Sequence, residues 1–146
     1  MSYLVDTNVL LRLVQQNHSM HADALRALLL LRKQSAELCL IPQNLIEFWA
    51  VATRPLVNNG LGLTVDEATR EMQRLKRLFK LRADAPAIFS VWEKLVAQYQ
   101  VLGKQTHDAR IVAAMQVHQI THLLTFNIDD FKRYSAITVV DPRHVR

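Results

Sequence analysis

Short, almost wholly apolar runs separated by longer amphipathic stretches limit what this chain can fold into more than any other feature. Tyr3 to Val5, Leu38 to Ile41, Leu123 to Phe126 and Ile137 to Val140 each read as a strand. Nearly continuous apolar strands of this kind belong to parallel sheets covered on both faces. The stretches between them carry helical signals. Ala22 to Arg32 is leucine-rich, and Asn44 to Thr53 stops before Arg54-Pro55, where the residue preceding proline disfavours helix. Thr64-Val65-Asp66-Glu67 is a capping box for a helix running to Phe79. Asp84 and Pro86 start a helix that ends near Tyr99, and Thr106 can cap a last one from His107 to about His118. Strand–helix alternation of this sort implies an α/β fold, a layered sandwich around a mainly parallel sheet.

With 146 residues, no internal linker and no repeat, the expectation is a single domain over residues 1–146. Its 50% hydrophobic and 21% charged shares are those of an ordinary globular chain and exclude a disordered one. No stretch approaches the roughly 20 apolar residues of a membrane span, and the N-terminus has no signal-peptide pattern. A cytoplasmic protein with no membrane partner is therefore expected. The formal charge of +5 fits an acidic partner such as nucleic acid. The single cysteine, Cys39, excludes disulfides and cysteine-based zinc sites and reads as an inert buried thiol. Trp49 and Trp92 fall in apolar helical patterns and read as core.

In a parallel α/β sheet, ligands gather beyond the carboxyl ends of the strands, where strand order reverses. Acidic residues fall at several of these exits. Asp6 directly follows the first strand, where it is either a helix cap or a ligand. Glu47 is the only acid in an otherwise apolar helix after the second strand, so it needs a partner. Asp108 sits in the first turn of the last long helix, where the helix dipole alone could account for it. Asp129 and Asp130 follow the third strand and could be ordinary turn residues. Taken together, carboxylates at one sheet edge repel unless a cation neutralises them, and oxygen-only ligands favour Mg²⁺ or Mn²⁺ over zinc.

The segments LVDTNVLLRL, NLIEFWAV, HDARIVAAM and LLTFNIDDF, in this order and spacing, resemble the signature blocks of the PIN domain. More narrowly, the chain resembles the VapC toxins, the ribonuclease half of toxin–antitoxin pairs. The resemblance spans essentially the whole chain. It implies an α/β/α sandwich, a Mg²⁺- or Mn²⁺-dependent endoribonuclease acting on RNA, a homodimer, and a small antitoxin protein as partner. Asp6, Glu47 and Asp108 match the central metal-site acids. For the fourth acid, many relatives carry aspartate where this chain has Asn127, and others carry it at Asp130. The resemblance therefore places Asp130 first, Asp129 second, and Asn127 as a polar site residue. Thr7, Asn8 and Thr125 match small polar positions that orient carboxylates or a metal-bound water.

Arg70 to Arg82 carries six basic residues and one acid, with Arg70, Arg74 and Arg77 sharing a helix face. That face is either solvated or a surface that tracks RNA phosphates. His107, beside Asp108, reads as structural or surface-exposed. Two other classes compete with the ribonuclease. A non-catalytic PIN-like module binding RNA or protein would not need Asp6, Glu47 and Asp108 intact. A receiver-type phospho-acceptor domain expects an acidic pair at the first strand exit, where this chain has Asp6-Thr7-Asn8.

Overall fold

The computed structural model describes all residues, Met1–Arg146. The chain runs β1 (Ser2–Val5), α1 (Thr7–Val14), α2 (His21–Lys33), β2 (Glu37–Leu40), α3 (Pro42–Ala52), α4 (Val65–Leu78), β3 (Lys80–Leu81), α5 (Ala87–Gln98), α6 (Gln105–His118), β4 (His122–Leu124), α7 (Ile128–Phe131) and β5 (Thr138–Val140). Single 3₁₀ turns lie at Leu56–Asn58 and Pro142–His144. All five strands are parallel, in the order β3-β2-β1-β4-β5. Successive strands step outward from β1 to β3, and the chain then crosses back to lay β4 on the other side of β1. The order therefore reverses between β1 and β4, which is where a ligand site is favoured.

Side chains alternate across the sheet and build two cores. Tyr3, Val5, Leu38, Leu40 and Leu124 face one side and pack against α1, α2, α3 and α4. Leu4, Cys39, Ile41 and Leu123 face the other and pack against α5, α6 and α7. These residues are almost wholly withdrawn from water. Each buried leucine contributes about 2 kcal/mol relative to an exposed one. This is an α/β/α sandwich with a PIN-like arrangement of strands. Cys39 is buried, and burial pushes its thiol up to about 11, so it is inert as expected.

Several boundaries differ from the sequence expectation. The edge strand β3 has no apolar run of its own. Only Lys80 and Leu81 pair with Cys39 and Leu40, and both are exposed. β4 ends at Leu124, and just beyond it the Thr125 hydroxyl bonds to Asp6. The Thr64–Glu67 box forms as read, with Glu67 N–H donating to Thr64 Oγ1 at 3.1 Å and Thr64 N–H to Glu67 Oε1 at 3.0 Å. Thr106 is not a cap. α6 begins at Gln105, two residues earlier, and the Thr106 hydroxyl donates to the Gly103 carbonyl instead. Trp49 and Trp92 are only half-buried, each bordering a surface cleft. The apolar residues of α4 are spent on its own core, with Ala68 and Leu75 buried and only Val65 fully outside.

After α3 the chain doubles back through Arg54-Pro55, and Gly60 packs on the Arg54 backbone. A Cβ at residue 60 would lie 1.9 Å from the Arg54 carbonyl oxygen. Gly60→Ala should therefore destabilise the fold by about 2 kcal/mol or more, read as a lowered urea midpoint at unchanged slope. A midpoint equal to the parent's would show that the loop rearranges freely.

Candidate functional site

The site begins with Asp6, where β1 ends at the reversal of strand order. Its backbone continues the ladder, its N–H donating to the Leu124 carbonyl at 3.0 Å. Its side chain then does two things at once. Oδ1 accepts the Thr7 N–H at 2.8 Å, capping α1. Oδ2 accepts the Thr125 hydroxyl at 2.8 Å and the Asn8 amide at 3.3 Å. The residue is only 6% exposed. Cap and candidate ligand are thus one carboxylate.

Thr125 holds this arrangement from β4. Its Oγ1 donates to Asp6 and accepts from Asn8 Nδ2 at 3.1 Å and from the Asn127 N–H at 3.0 Å. Asn8 Oδ1 in turn accepts the Phe126 N–H at 3.1 Å. The polar residues between the two strand exits therefore form one network.

Glu47 comes from the neighbouring exit. Pro42 opens α3 where no N–H is needed, and buried Asn44 reaches back to accept the Ile41 N–H at 3.0 Å. One turn on, Glu47 Oε2 accepts the Thr7 hydroxyl at 3.0 Å, and Oε1 accepts Gln43 Nε2 at 2.9 Å. Gln43 also donates to the His107 carbonyl at 2.8 Å, tying α3 to the first turn of α6. No lysine or arginine pairs with Glu47.

Asp108 follows His107, and no hydrogen bond restrains its carboxylate. α6 can approach the sheet closely because Ala109, Ala113 and Ala114 are buried and small. Asp130, half-buried on the short helix α7, completes the group.

These acids act on one another. Burial pushes the Asp6 carboxyl up to about 6; the hydrogen bonds from Thr125 and Thr7 oppose that rise, and the charges of Glu47 and Asp130 add to it. Burial also pushes Asp108 up to about 7, reinforced by Asp6, Asp130 and Glu47, with Arg133 the opposing cation. Asp129, by contrast, is exposed and pairs with Lys132 at 3.1 Å. The Asn127 side chain is exposed and makes no capping bond. The site acids share one field, yet no three His, Cys, Asp or Glu side chains are gathered as a ready ligand cluster. Their chemistry, carboxylate and hydroxyl oxygen without sulfur, suits a hard divalent cation.

Arg70, Arg74 and Arg77 lie exposed on α4, on the sheet face opposite α6, and are not brought to this group. Sequence reading missed two residues at the site. Gln43 precedes Glu47 by one helical turn, a spacing that places side chains together. Arg133 gave no such signal, since it reaches Asp108 only through the packing of α7 beside α6.

Between about pH 4, where an unfolded aspartate titrates, and about pH 7, the folded protein binds more protons at Asp6 and Asp108 than the unfolded chain. These two groups therefore make the metal-free protein less stable as pH rises through that window. His18 and His122, both shifted down by burial, act in the opposite sense. Comparison with Asp108→Asn cancels the histidines. The variant should gain melting temperature over the parent as pH rises through this window, without metal. Equal pH profiles for the two proteins would show that Asp108 feels no such field.

The chain matches the PIN domain family model over residues 3–137. No curated protein sequence matches it. Among solved structures it is similar to VapBC2 from Rickettsia felis, bound to a DNA fragment from their promoter, at 15% identity and a TM-score of 0.72, covering 97% of this chain and 98% of that one. It is also similar to VapC20 of Mycobacterium tuberculosis, a Sarcin-Ricin loop cleaving toxin, at 19% identity and a TM-score of 0.63, over 90% and 94% of the two chains. VapBC-1 from nontypeable Haemophilus influenzae shares 17% identity with a TM-score of 0.67, over 97% and 98%. At these identities the likeness is one of fold.

Proposed function

Because the chain belongs to the PIN domain family, whose members are typically nucleases and usually bind Mg²⁺ or Mn²⁺, we propose that it is a metal-dependent endoribonuclease and the toxin of a type II toxin–antitoxin pair. The observation that carries this reading is the shared field of Asp6, Glu47, Asp108 and Asp130 at the reversal of strand order, opposed at Asp108 only by Arg133. The similarity to a Sarcin-Ricin loop cleaving toxin supports RNA as substrate.

Asp6, Asp108 and Asp130 would hold the cation, with Glu47 beside them. When bound, the ion stabilises charge developing on the phosphodiester and helps activate the attacking water. The chain's own residues divide the remaining work. Asp6 is the fixed member, since the α1 cap and Thr125 hold both of its oxygens. Glu47 is steered by Thr7 and Gln43, leaving its carboxylate to orient water or accept a proton. Asp108, unrestrained and raised in pKa, would be the group to give up its proton where a cation is held. Asn8 and Thr125 keep the site's polar floor in register. Arg70, Arg74 and Arg77 would track RNA phosphates outside the site.

A single-turnover cleavage assay on mixed RNA, with and without EDTA, tests the mechanism. Asp108→Asn should lose at least about a hundredfold in rate, given what metal-assisted charge stabilisation supplies, while keeping RNA affinity and fold. Mg²⁺ should raise the melting temperature of the parent far more than that of the variant. Cleavage that persists in EDTA would sink the metal mechanism. A parent inactive with every metal and RNA class would instead identify a binding module.

The proposed partners are a second copy of the chain and a small antitoxin. Leu25 and Leu29 remain exposed on α2, a surface that a symmetric dimer could cover. Sedimentation at micromolar concentration should give twice 16.8 kDa, and Leu29→Glu should shift it toward monomer. A parent that sediments as a monomer would remove the dimer.

A further inference from the structure

Beside the acids lies a second cleft, which the cleavage chemistry does not use. It has a volume of about 480 Å³ and is lined by Phe89 and Trp92 of α5 together with Thr106, His107 and Arg110 of α6. His107 and Arg110 also line the adjoining cleft that reaches Glu47, so the two spaces share a wall. Phe89 and Trp92 stack, with ring centroids 5.6 Å apart and planes 30° apart. Trp92 is fixed in place, its indole N–H donating to the Thr106 carbonyl at 2.8 Å. Phe89 is 64% exposed, a large aromatic ring left in water at the mouth of the cleft.

Arg110 joins the two clefts chemically. One of its nitrogens donates to Gln43 Oε1 at 3.1 Å, and Gln43 donates to Glu47. Another donates to Asp84 at 3.3 Å. The guanidinium is thereby held at the wall between the two clefts, with further N–H groups free to meet an acceptor.

We propose that the Phe89–Trp92 cleft is a stacking subsite for one unpaired nucleobase of single-stranded RNA whose backbone lies at the acidic site. This inference rests on the ribonuclease reading and names how that site selects its substrate. An exposed aromatic face with a fixed ring beneath it suits any base. An arginine and a histidine at its edge meet phosphate oxygens or base acceptors. An unpaired base is required, because a base within a duplex has no free face to offer. The subsite would therefore favour loops and single-stranded segments.

The experiment measures binding in EDTA, where cleavage plays no part. Trp49→Phe leaves Trp92 as the only tryptophan emitter. Oligoadenylate should quench it, and an abasic ribose-phosphate chain of equal length should not. Phe89→Ala, at an exposed position where folding is not at risk, should weaken oligoadenylate binding about tenfold and leave abasic binding unchanged. Phe89→Tyr should restore it. Equal affinity of parent and Phe89→Ala for oligoadenylate would overturn the subsite, as would a parent that does not prefer oligoadenylate to the abasic chain. If Phe89→Ala instead turns a dimer into a monomer and weakens both probes alike, a second copy of the chain covers this face and the proposal falls. Failure of the wider reading looks different. A parent that stacks oligoadenylate through Phe89 but never cleaves keeps the subsite and loses the ribonuclease. One that cleaves at the same rate with or without Phe89 keeps the ribonuclease and loses the subsite.

Discussion

A single buried carboxylate, that of Asp6, links the backbone of this fold to its chemistry. Its N–H belongs to the ladder between β1 and β4, and its Oδ1 starts α1. Its Oδ2 receives the Thr125 hydroxyl from the neighbouring strand exit. Ionising it in the folded protein costs about 3 kcal/mol more than in water, since each pKa unit is about 1.4 kcal/mol. That cost is what remains after the hydrogen bonds from Thr125 and Thr7 have offset part of the desolvation. A protein with no use for the charge would do better with a neutral serine as the cap. Keeping an aspartate there makes sense if a cation supplies what the hydrogen bonds do not.

The other acids are held in graded degrees, and the gradation has a physical logic. Asp6 is fixed by the fold itself. Glu47 is held by two side chains, Thr7 and Gln43, that can turn without disturbing a strand. Asp108 has no hydrogen bond. Four carboxylates fixed rigidly at ligand distance would repel severely whenever no cation was present. Holding the outer ones by fewer bonds lets the metal-free protein spread that repulsion, and lets one of them hold a proton. This explains why the acids share a field without forming a ready cluster. It also separates two substitutions that look alike on paper. Asp108→Asn removes a charge and breaks nothing, whereas Asp6→Asn would turn an amide toward the Thr125 hydroxyl and the Asn8 amide, which both need an acceptor.

The sequence revealed every strand that carries an apolar run, the central ones and the edge strand β5 alike. The strands at the centre of the sheet were visible as apolar runs because both of their faces meet helices. The edge strand β3 was not, because a strand open to solvent needs no apolar pattern and here consists of Lys80-Leu81. Thr64 and Glu67 were recognisable because a capping box is a local interaction. Thr106 misled because the same local rule fits two registers, and the Gly103 carbonyl settled which one formed. The acids at strand exits could be named from topology alone. Gln43 was within reach of the i, i+4 spacing to Glu47, but Arg133 was not, since its role depends on how the end of α7 packs beside α6, which local pattern does not encode.

Packing also explains how a cationic side chain can sit near the acids without neutralising them. Arg110 is one residue pair along α6 from Asp108 and bonds the same glutamine as Glu47. Arg133 is the cation that lowers Asp108 most, while Arg110 is engaged elsewhere. Asp84 takes up part of its charge, and Gln43 stands between it and Glu47. A neutral amide transmits position but little net charge. The fold can therefore place a guanidinium at the wall of the aromatic cleft without pairing it to Glu47. Replacing Gln43 with lysine would merge the two sites electrostatically, whereas glutamine keeps them joined in geometry and separate in charge.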